Sequence, residues 1–138
     1  PNFVHTMLKL MKSKESIGVV ADQKGTPTWA RDLAEAMAFI VTHGDRFEGI
    51  YQFTNGGETT WHAFAEEIHR LGRETGLLER DCAINALTTD QYPTKAKRPA
   101  YSVLSKDRIK DAGVTVPEWQ ESLHHYIQEI KTKGIRIA

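Results

Sequence analysis

The residues best suited to chemistry lie in one polar segment, from Asp22 to Thr28, which follows a short apolar run. Gly25 lets the backbone approach a ligand closely, and Pro27 makes the local backbone rigid. If Thr28 caps the next helix, the free amides of the first turn form an anion site. Asp22 and Gln23 add hydrogen-bonding groups that suit a sugar or a base edge. Any strand–loop–helix junction favours turn formers and a cap, so a purely structural role stays open.

A second candidate is the basic cluster of Lys95, Lys97 and Arg98, the one local excess of positive charge. Pro99 restricts the backbone beside Arg98, whose planar guanidinium suits a phosphate. A solvated loop is the alternative interpretation. Nucleic-acid binding is not favoured, because 18 Lys+Arg balance 18 Asp+Glu over the chain. Three local cations would release few counterions.

The six histidines and the single cysteine do not form a metal-binding pattern. His62 and His69 lie two helical turns apart, about 10 Å along a helix axis, so one ion cannot bridge them. His124 and His125 are adjacent and point in different directions around a helix. Cys82 is expected to be a small buried residue, and it excludes an intramolecular disulfide. We therefore predict no metal site and no catalytic residue in this chain.

The motifs of complete enzyme sites are missing from the 138 residues. The chain contains no G-x-G-x-x-G dinucleotide turn, phosphate loop, H-E-x-x-H helix or G-x-S-x-G elbow. A Tyr-x-x-x-Lys pair is also missing. The composition, 40% hydrophobic and 26% charged, is typical of a globular domain. No apolar run approaches the ~20 residues of a membrane span, so no membrane contact is expected. The single cysteine gives no reason to expect an oxidising compartment, so a cytoplasmic domain is expected.

Hydrophobic periodicity predicts an α+β domain, or half of an α/β protein, with four or five helices and about three short strands. Helices are expected over about 2–13, from Thr28 to Gly44, from Thr60 to Gly76, from Ser105 to Gly113, and from Pro117 onward. Strands are expected over 17–20, 49–54 and 82–87. The predicted buried stripe of the second helix is Leu33, Met37, Ile40 and Val41, and that of the last helix is Trp119, Leu123, Tyr126, Ile127 and Ile130.

The order of these segments resembles the C-terminal half of the dTDP-4-dehydrorhamnose reductases, which are extended short-chain dehydrogenase/reductases. The motifs that carry the resemblance are Asp22-Gln23-x-Gly25-x-Pro27-Thr28, Ala30-Arg31-Asp32-Leu33-Ala34, Thr60-Trp61-x-x-Phe64-Ala65 and Tyr92-Pro93-Thr94-x-Ala96-x-Arg98-Pro99. The opening Asn2-Phe3-Val4-x-Thr6-Met7-Leu8 resembles the helix that follows the catalytic half of this family. The resemblance extends from residue 2 to about residue 130.

The resemblance implies that residues 1–138 form one substrate-binding domain, with helices packed on a few short strands, from a Rossmann-type reductase. The family's N-terminal Rossmann half, which binds NADPH and carries the Tyr-x-x-x-Lys pair, would be absent from this chain. The implied function is to bind a dTDP-sugar for an enzyme that reduces dTDP-4-dehydro-L-rhamnose to dTDP-L-rhamnose. The isolated chain would then be inactive.

The resemblance also implies a set of site residues. Asn2 and Phe3 would face the nucleotide-sugar cleft, which the segment around Gln23 would line. Arg98 would lie at or near the diphosphate or the base. The full set of implied substrate-binding residues is Asn2, Phe3, Gln23, Pro27, Thr28, Arg98 and Pro99. Trp61 and Phe64 would mainly pack their helix against the sheet.

The implied partners are a dTDP-sugar, the N-terminal Rossmann half and, as a homodimer, a second copy of the chain. Some members bind magnesium between subunits through an acidic residue after the Pro-Thr turn. This chain has Trp29-Ala30-Arg31 there, and Asp32 would fit only with a change of register. A metal-bridged dimer is therefore not expected. The alternative function is a non-catalytic binding module similar to the regulatory subunit of methionine adenosyltransferase.

Overall fold

The computed structural model describes residues 2–135, including every side chain in that range except Arg46. It shows five helices and four short strands, which confirms the predicted α+β class. The elements in chain order are α1 (Phe3–Ser13), β1 (Ser16–Val20), β2 (Lys24–Gly25), α2 (Ala30–Thr42), β3 (Thr59–Thr60), α3 (Trp61–Glu74), β4 (Ala83–Leu87), α4 (Asp107–Asp111) and α5 (Trp119–Lys133). Short 3₁₀ turns cover Gly44–Arg46 and Thr89–Gln91.

Two pairs of strands form separate small sheets. Strands β1 and β4 are parallel and in register from Ser16↔Ala83 to Val20↔Leu87. A Cβ atom on Gly18 would lie 2.7 Å from a methyl group of Leu87, so glycine lets the two strands pack closely. Strands β2 and β3 pair antiparallel over two residues each. Sequence periodicity did not predict β2 and β3, because two-residue strands carry no alternation.

The larger hydrophobic cluster is built around α3. Its apolar face consists of Phe64, Ala65, Ile68 and Leu71, all buried. Helices α1 and α5 and strands β1 and β4 all contact α3. The N-caps of α1 and α3 come from their own sequences: Asn2 Oδ1 accepts from the His5 amide, and Thr60 Oγ1 accepts from the Ala63 amide. These two helices therefore begin where the sequence predicts.

A smaller hydrophobic cluster lies under α2. Its buried members are Ala36, Ile109 and Val114, and its half-buried members are Phe39, Ile40, Phe47, Tyr51, Phe53 and Val116. Arg108 closes one side, since its guanidinium donates to the carbonyls of Glu48 and Ile50. The same guanidinium stacks 4.5 Å from the centre of the Tyr51 ring.

The predicted buried stripe of α2 is wrong for three of its four residues. Leu33, Met37 and Val41 are 39%, 58% and 81% exposed, and only Ile40 packs on the smaller cluster. Helix α2 instead turns Asp32 and Ala36 inward. The reason is tertiary: the carboxylate of Asp32 finds buried hydrogen-bond partners, which periodicity cannot show.

Three local predictions also differ from the structure. The segment 49–54 alternates apolar and polar residues, yet it forms no strand. Its Tyr51 and Phe53 side chains pack into the smaller cluster, Ile50 is exposed, and the backbone lies beside no partner strand. The N-cap of α2 is Trp29, one residue after Thr28, and α5 begins at Trp119 with Glu118 as N-cap, so Pro117 lies before the helix.

The carboxyl ends of the parallel strands are joined by side chains. Asp22, shortly after β1, accepts from the Thr89 amide at 2.9 Å and from the Thr89 hydroxyl at 2.7 Å. These bonds, the backbone bond first, lower the pKa of the Asp22 carboxyl below its usual 3.8. The interaction therefore stabilises the fold above that pH, and the stabilisation is lost as the pH falls through the lowered pKa.

Core packing gives a first prediction, for which the chain offers a matched control. Ile68→Ala should lower the free energy of unfolding by about 2–5 kcal/mol, because it leaves a cavity in a fully buried site. Ile50→Ala removes the same atoms at a site that is 81% exposed. This variant should change the free energy of unfolding by less than about 0.5 kcal/mol. Urea denaturation measures both. Equal effects would contradict the placement of α3 in the core.

The tie between the strand ends gives a second prediction. Thr89→Val removes the hydroxyl bond to Asp22 and keeps the backbone bond, so the pKa of Asp22 should rise part of the way toward 3.8. Carboxyl ¹³C chemical shifts recorded across an acid titration measure this. Thr94→Val is the control, because the Thr94 hydroxyl donates to the Ala96 carbonyl. An unchanged Asp22 midpoint in Thr89→Val would contradict the hydroxyl bond.

Candidate functional site

A cavity of about 350 Å³ opens where five parts of the chain meet. These parts are the start of α1, the turn before α2, the loop at Asn55, the first turns of α3 and the first turns of α5. Its lining residues are Asn2, Phe3, Val4, Pro27, Thr28, Trp29, Ala30, Asn55, Trp61, Phe64, Trp119, Ser122, Leu123 and Tyr126. The volume falls in the range of small-molecule sites.

Aromatic rings make up much of the cavity wall. Phe3 lies 4.9 Å from Trp61 and 5.4 Å from Phe64, centre to centre, the latter pair stacked. Trp119 meets Phe64 edge to face at 5.6 Å. On the opposite side, Trp29 lies 6.0 Å from Tyr126. Rings that pack on one another hold their orientation, so the wall offers fixed apolar faces to a planar ligand group.

At the rim of the cavity, hydrogen bonds among Asn2, His5 and Tyr126 join the start of α1 to α5. Asn2 Nδ2 donates to the Tyr126 hydroxyl at 2.7 Å, while Asn2 Oδ1 caps α1. The Tyr126 hydroxyl also lies 3.0 Å from His5 Nε2, and the two rings stack. Both polar atoms of the Asn2 side chain are thus hydrogen-bonded, and the Tyr126 hydroxyl accepts one of the two Nδ2 hydrogens.

The floor of the cavity contains a buried polar cluster of Asp32, Asn55 and Ser122, which are 6%, 0% and 3% exposed. Asn55 Nδ2 donates to Asp32 Oδ2 at 2.6 Å and lies 3.0 Å from the Ser122 hydroxyl. The Ser122 hydroxyl donates to the same Asp32 oxygen. Because each member has a partner, the cluster avoids the cost of an unpaired buried polar group.

One buried donor in the cavity wall lacks a partner. Within residues 2–135, Trp119 Nε1 is the buried side-chain nitrogen or oxygen without a hydrogen bond. Trp119 is 7% exposed and lines the cavity. A buried N–H without an acceptor costs about 1–3 kcal/mol. An acceptor atom of a bound molecule would remove that cost.

The structure brings four of the seven predicted site residues together. Asn2, Phe3, Pro27 and Thr28 all line the main cavity. Gln23 lines a neighbouring cavity of about 110 Å³, which also borders Pro27 and Trp61, and its amide donates to the Thr89 hydroxyl. Arg98 and Pro99 lie in an exposed segment and border neither of these two cavities.

Ten other lining residues are not among the predicted site residues. Three of them belong to the predicted buried stripe of the last helix: Trp119, Leu123 and Tyr126. Trp61 and Phe64 were expected mainly to pack their helix against the sheet, and no ligand contact was expected of Trp29, Asn55 or Ser122. For Asn55 the available signal is its residue type beside two glycines, which predicts a local turn; its bonds to Trp29, Asp32 and Ser122 are long-range. The remaining contacts depend on tertiary packing.

From sequence we also considered metal binding by the histidines, the Cys82 thiol and membrane insertion. Across the part of the chain that the structure describes, no three His, Cys, Asp or Glu residues are grouped to hold a metal ion. Cys82 is buried, and burial raises the pKa of its thiol against the opposing charge of Arg80. Between residues 2 and 135, no helix has the length and apolar character to cross a membrane.

Comparison with known proteins agrees with this geometry. At the sequence level, the spore coat polysaccharide biosynthesis protein SpsK of Bacillus subtilis is 44% identical over 128 residues, which cover 93% of this chain and 42% of SpsK. The dTDP-4-dehydrorhamnose reductase of Aggregatibacter actinomycetemcomitans is 41% identical over 127 residues, covering 88% of this chain and 43% of the reductase. The chain thus spans less than half the length of these relatives.

Solved structures show the same match in three dimensions. The dTDP-4-dehydrorhamnose reductase of Clostridium acetobutylicum superposes with a TM-score of 0.84 at 38% identity, over 95% of this chain and 44% of that one. The Bacillus anthracis reductase, solved in complex with NADP, gives 0.81 at 30% identity, over 94% and 43%. The family described as the RmlD substrate binding domain matches residues 1–132. The chain therefore belongs to the RmlD substrate-binding-domain family, the substrate-binding portion of the dTDP-4-dehydrorhamnose reductases.

Proposed function

We propose that this chain binds the dTDP-sugar substrate of a reductase that converts dTDP-4-dehydro-L-rhamnose to dTDP-L-rhamnose. The observation that carries the proposal is the aromatic cavity, because four of the seven substrate-binding residues that the resemblance implies line it: Asn2, Phe3, Pro27 and Thr28. A nucleotide-sugar combines a planar ring, hydroxyl groups and a diphosphate. Aromatic faces and a few fixed polar groups suit the first two of these.

The polar groups of the cavity favour a ligand rich in hydrogen-bond acceptors. The unpaired indole N–H of Trp119 needs an acceptor, and a carbonyl of a pyrimidine base or a sugar hydroxyl would supply one. Asn2 lies at the rim with its amide already oriented by Tyr126. Oriented groups lose little freedom when a ligand binds, which favours affinity.

The diphosphate calls for a cation, and Arg98 is our candidate. Its side chain is exposed in the segment 92–99, outside the two cavities, with Pro99 beside it. In this proposal the guanidinium contacts the ligand where the diphosphate emerges from the cavity. Gln23, whose amide is already bonded to Thr89, would contribute through the smaller neighbouring cavity.

NADPH does not fit the residues of this chain. None of its ten glycines forms the G-x-G-x-x-G turn that holds a dinucleotide pyrophosphate. We propose that the cofactor binds to an N-terminal Rossmann half, a separate part of the parent enzyme. The contribution of this chain would be orientation of the sugar, which is a large share of catalysis when reacting groups are held in place.

The remaining parts of the proposal follow the family resemblance. They are a cytoplasmic location, packing of the chain against the Rossmann half, and a homodimer of the parent enzyme. The competing function, a non-catalytic regulatory module, shares the same fold, and fold alone does not decide activity. The coding sequence upstream of residue 1 would distinguish the two. A glycine-rich turn followed by Tyr-x-x-x-Lys favours the reductase, and loss of either motif favours the module.

Ligand binding gives the third prediction. Calorimetric titration with dTDP should show saturable binding, and Arg98→Ala should weaken it by about 1.5–3 kcal/mol, the scale of a lost charge-assisted bond. Lys95→Ala removes one positive charge from the same exposed segment and is the matched control. Equal losses in the two variants would indicate general charge attraction instead of a diphosphate contact. No dTDP binding by the unmodified chain would contradict the proposed function.

Catalysis gives the fourth prediction. The 138-residue chain mixed with dTDP-4-dehydro-L-rhamnose and NADPH should oxidise no NADPH, because it carries neither a dinucleotide turn nor a Tyr-x-x-x-Lys pair. Absorbance at the nicotinamide band measures the reaction, and a full-length reductase of the family is the positive control. Turnover by the chain alone would overturn the assignment of catalysis to a separate half.

A further inference from the structure

Helix α2 begins without a cap from its own sequence. Trp29 occupies the N-cap position, and its side chain forms no capping hydrogen bond. Asp32 lies three residues later, where the acidic residue of a capping box normally reaches back to the N-cap amide. In this structure its Oδ2 atom instead accepts from Asn55 Nδ2 at 2.6 Å.

Asn55 completes that interrupted motif from another part of the chain. Its Oδ1 atom accepts from the Trp29 amide at 2.8 Å, while its Nδ2 atom donates to Asp32. The side chain of Asn55 is thus inserted between the two groups that a capping box would join directly. The backbone N–H of Asn55 also donates to the Thr28 hydroxyl at 3.4 Å, so both Thr28 and Trp29 in the turn before α2 bond to this residue.

The same side chain reaches the start of α5. Asn55 Nδ2 lies 3.1 Å from the Pro117 carbonyl and 3.0 Å from the Ser122 hydroxyl. The neighbouring backbone strengthens this contact, since the Gly56 amide donates to the Pro117 carbonyl at 2.7 Å and the Trp119 amide donates to the Gly56 carbonyl. One fully buried amide therefore joins two walls of the cavity.

We propose that Asn55 is a positioning residue, which holds the Thr28–Trp29 turn and the start of α5 at the spacing the ligand requires. The inference rests on the proposed function, because the affected walls are those of the dTDP-sugar cavity. Thr28, Trp29, Trp119 and Ser122 line that cavity, and each is bonded to Asn55 or to its neighbour Gly56. Without the amide, the Trp29 N–H and the buried Asp32 carboxylate each lose a partner.

The test compares dTDP affinity across a set of variants, each measured by calorimetry where circular dichroism shows it to be folded. Asn55→Ala should weaken dTDP binding about tenfold or more, because buried groups in both walls lose their partners. Asn55→Asp should weaken it similarly, since it places two carboxylates at the 2.6 Å contact with Asp32. Thr75→Val removes a buried hydroxyl bond to the Leu71 carbonyl, in α3 away from the cavity, and should leave affinity unchanged.

The exchange variant Asp32→Asn with Asn55→Asp separates positioning from general stability. In it the new carboxylate at 55 accepts from the Trp29 amide, from the new amide at 32 and from the Ser122 hydroxyl, while its second oxygen faces the Pro117 carbonyl oxygen unfavourably. Affinity for dTDP should therefore recover part of the loss seen in Asn55→Asp. Unmodified affinity in Asn55→Ala, or no recovery in the exchange variant, would overturn the proposal and leave the proposed function standing.

Hydrogen exchange tests, without any ligand, whether Asn55 holds the turn before α2. Hydrogen exchange of the Trp29 amide should be slow in the unmodified chain and about tenfold or more faster in Asn55→Ala, while the amides inside α3 keep their protection. If the unmodified chain binds no dTDP, the proposed function fails, and this measurement alone decides the role of Asn55. Unchanged exchange at Trp29 would then refute it.

Discussion

Burial of the apolar face of α3 is the constraint on which the rest of the structure depends. Helices α1 and α5 and both strands of the parallel pair pack against this helix. The approach is close: a Cβ atom on Gly72 would lie 2.8 Å from a methyl group of Leu78 and 3.2 Å from one of Leu8. Because interiors are packed this densely, the position of α3 fixes where α1 and α5 begin. The cavity lies between those beginnings, so its shape follows from the core packing of α3.

The cavity shows how side chains from distant segments come to act together. Its aromatic walls are extensions of the hydrophobic core, since Phe64 and Trp119 belong to the larger cluster and also line the cavity. Its polar floor has a different origin, in the loop that carries Asn55 and in the first turns of α2 and α5. The apolar part is therefore fixed by packing and the polar part by hydrogen bonds. The apolar walls suit a flat apolar group of a ligand, and the polar part suits several hydrogen-bond acceptors.

The sequence was most informative where structure is local. Helices α1 and α3 were predicted because each has a regular apolar stripe, and in the structure each also has an N-cap of its own, Asn2 and Thr60. Helix α2 was placed correctly, yet its buried face and its cap were wrong, because both depend on Asn55, a residue 26 positions from Trp29. The segment 49–54 has the alternation of a strand without a partner to pair with. The family resemblance identified Asn2, Phe3, Pro27 and Thr28 as cavity residues, while Ser122 and Trp119 reach the cavity through tertiary contacts that no local pattern encodes.

The parallel pairing of β1 with β4 also governs how this domain can fold. The tie between Asp22 and Thr89 at its carboxyl end spans 67 positions, and the bond between Asn2 and Tyr126 spans 124. Such contacts repay the entropy of loop closure only after most of the chain has been ordered. During synthesis, the rim of the cavity cannot close until Tyr126 has left the ribosome. The cavity therefore needs almost the whole chain, and a chain that ends before α5 would possess α1 and α3 without the cavity between them.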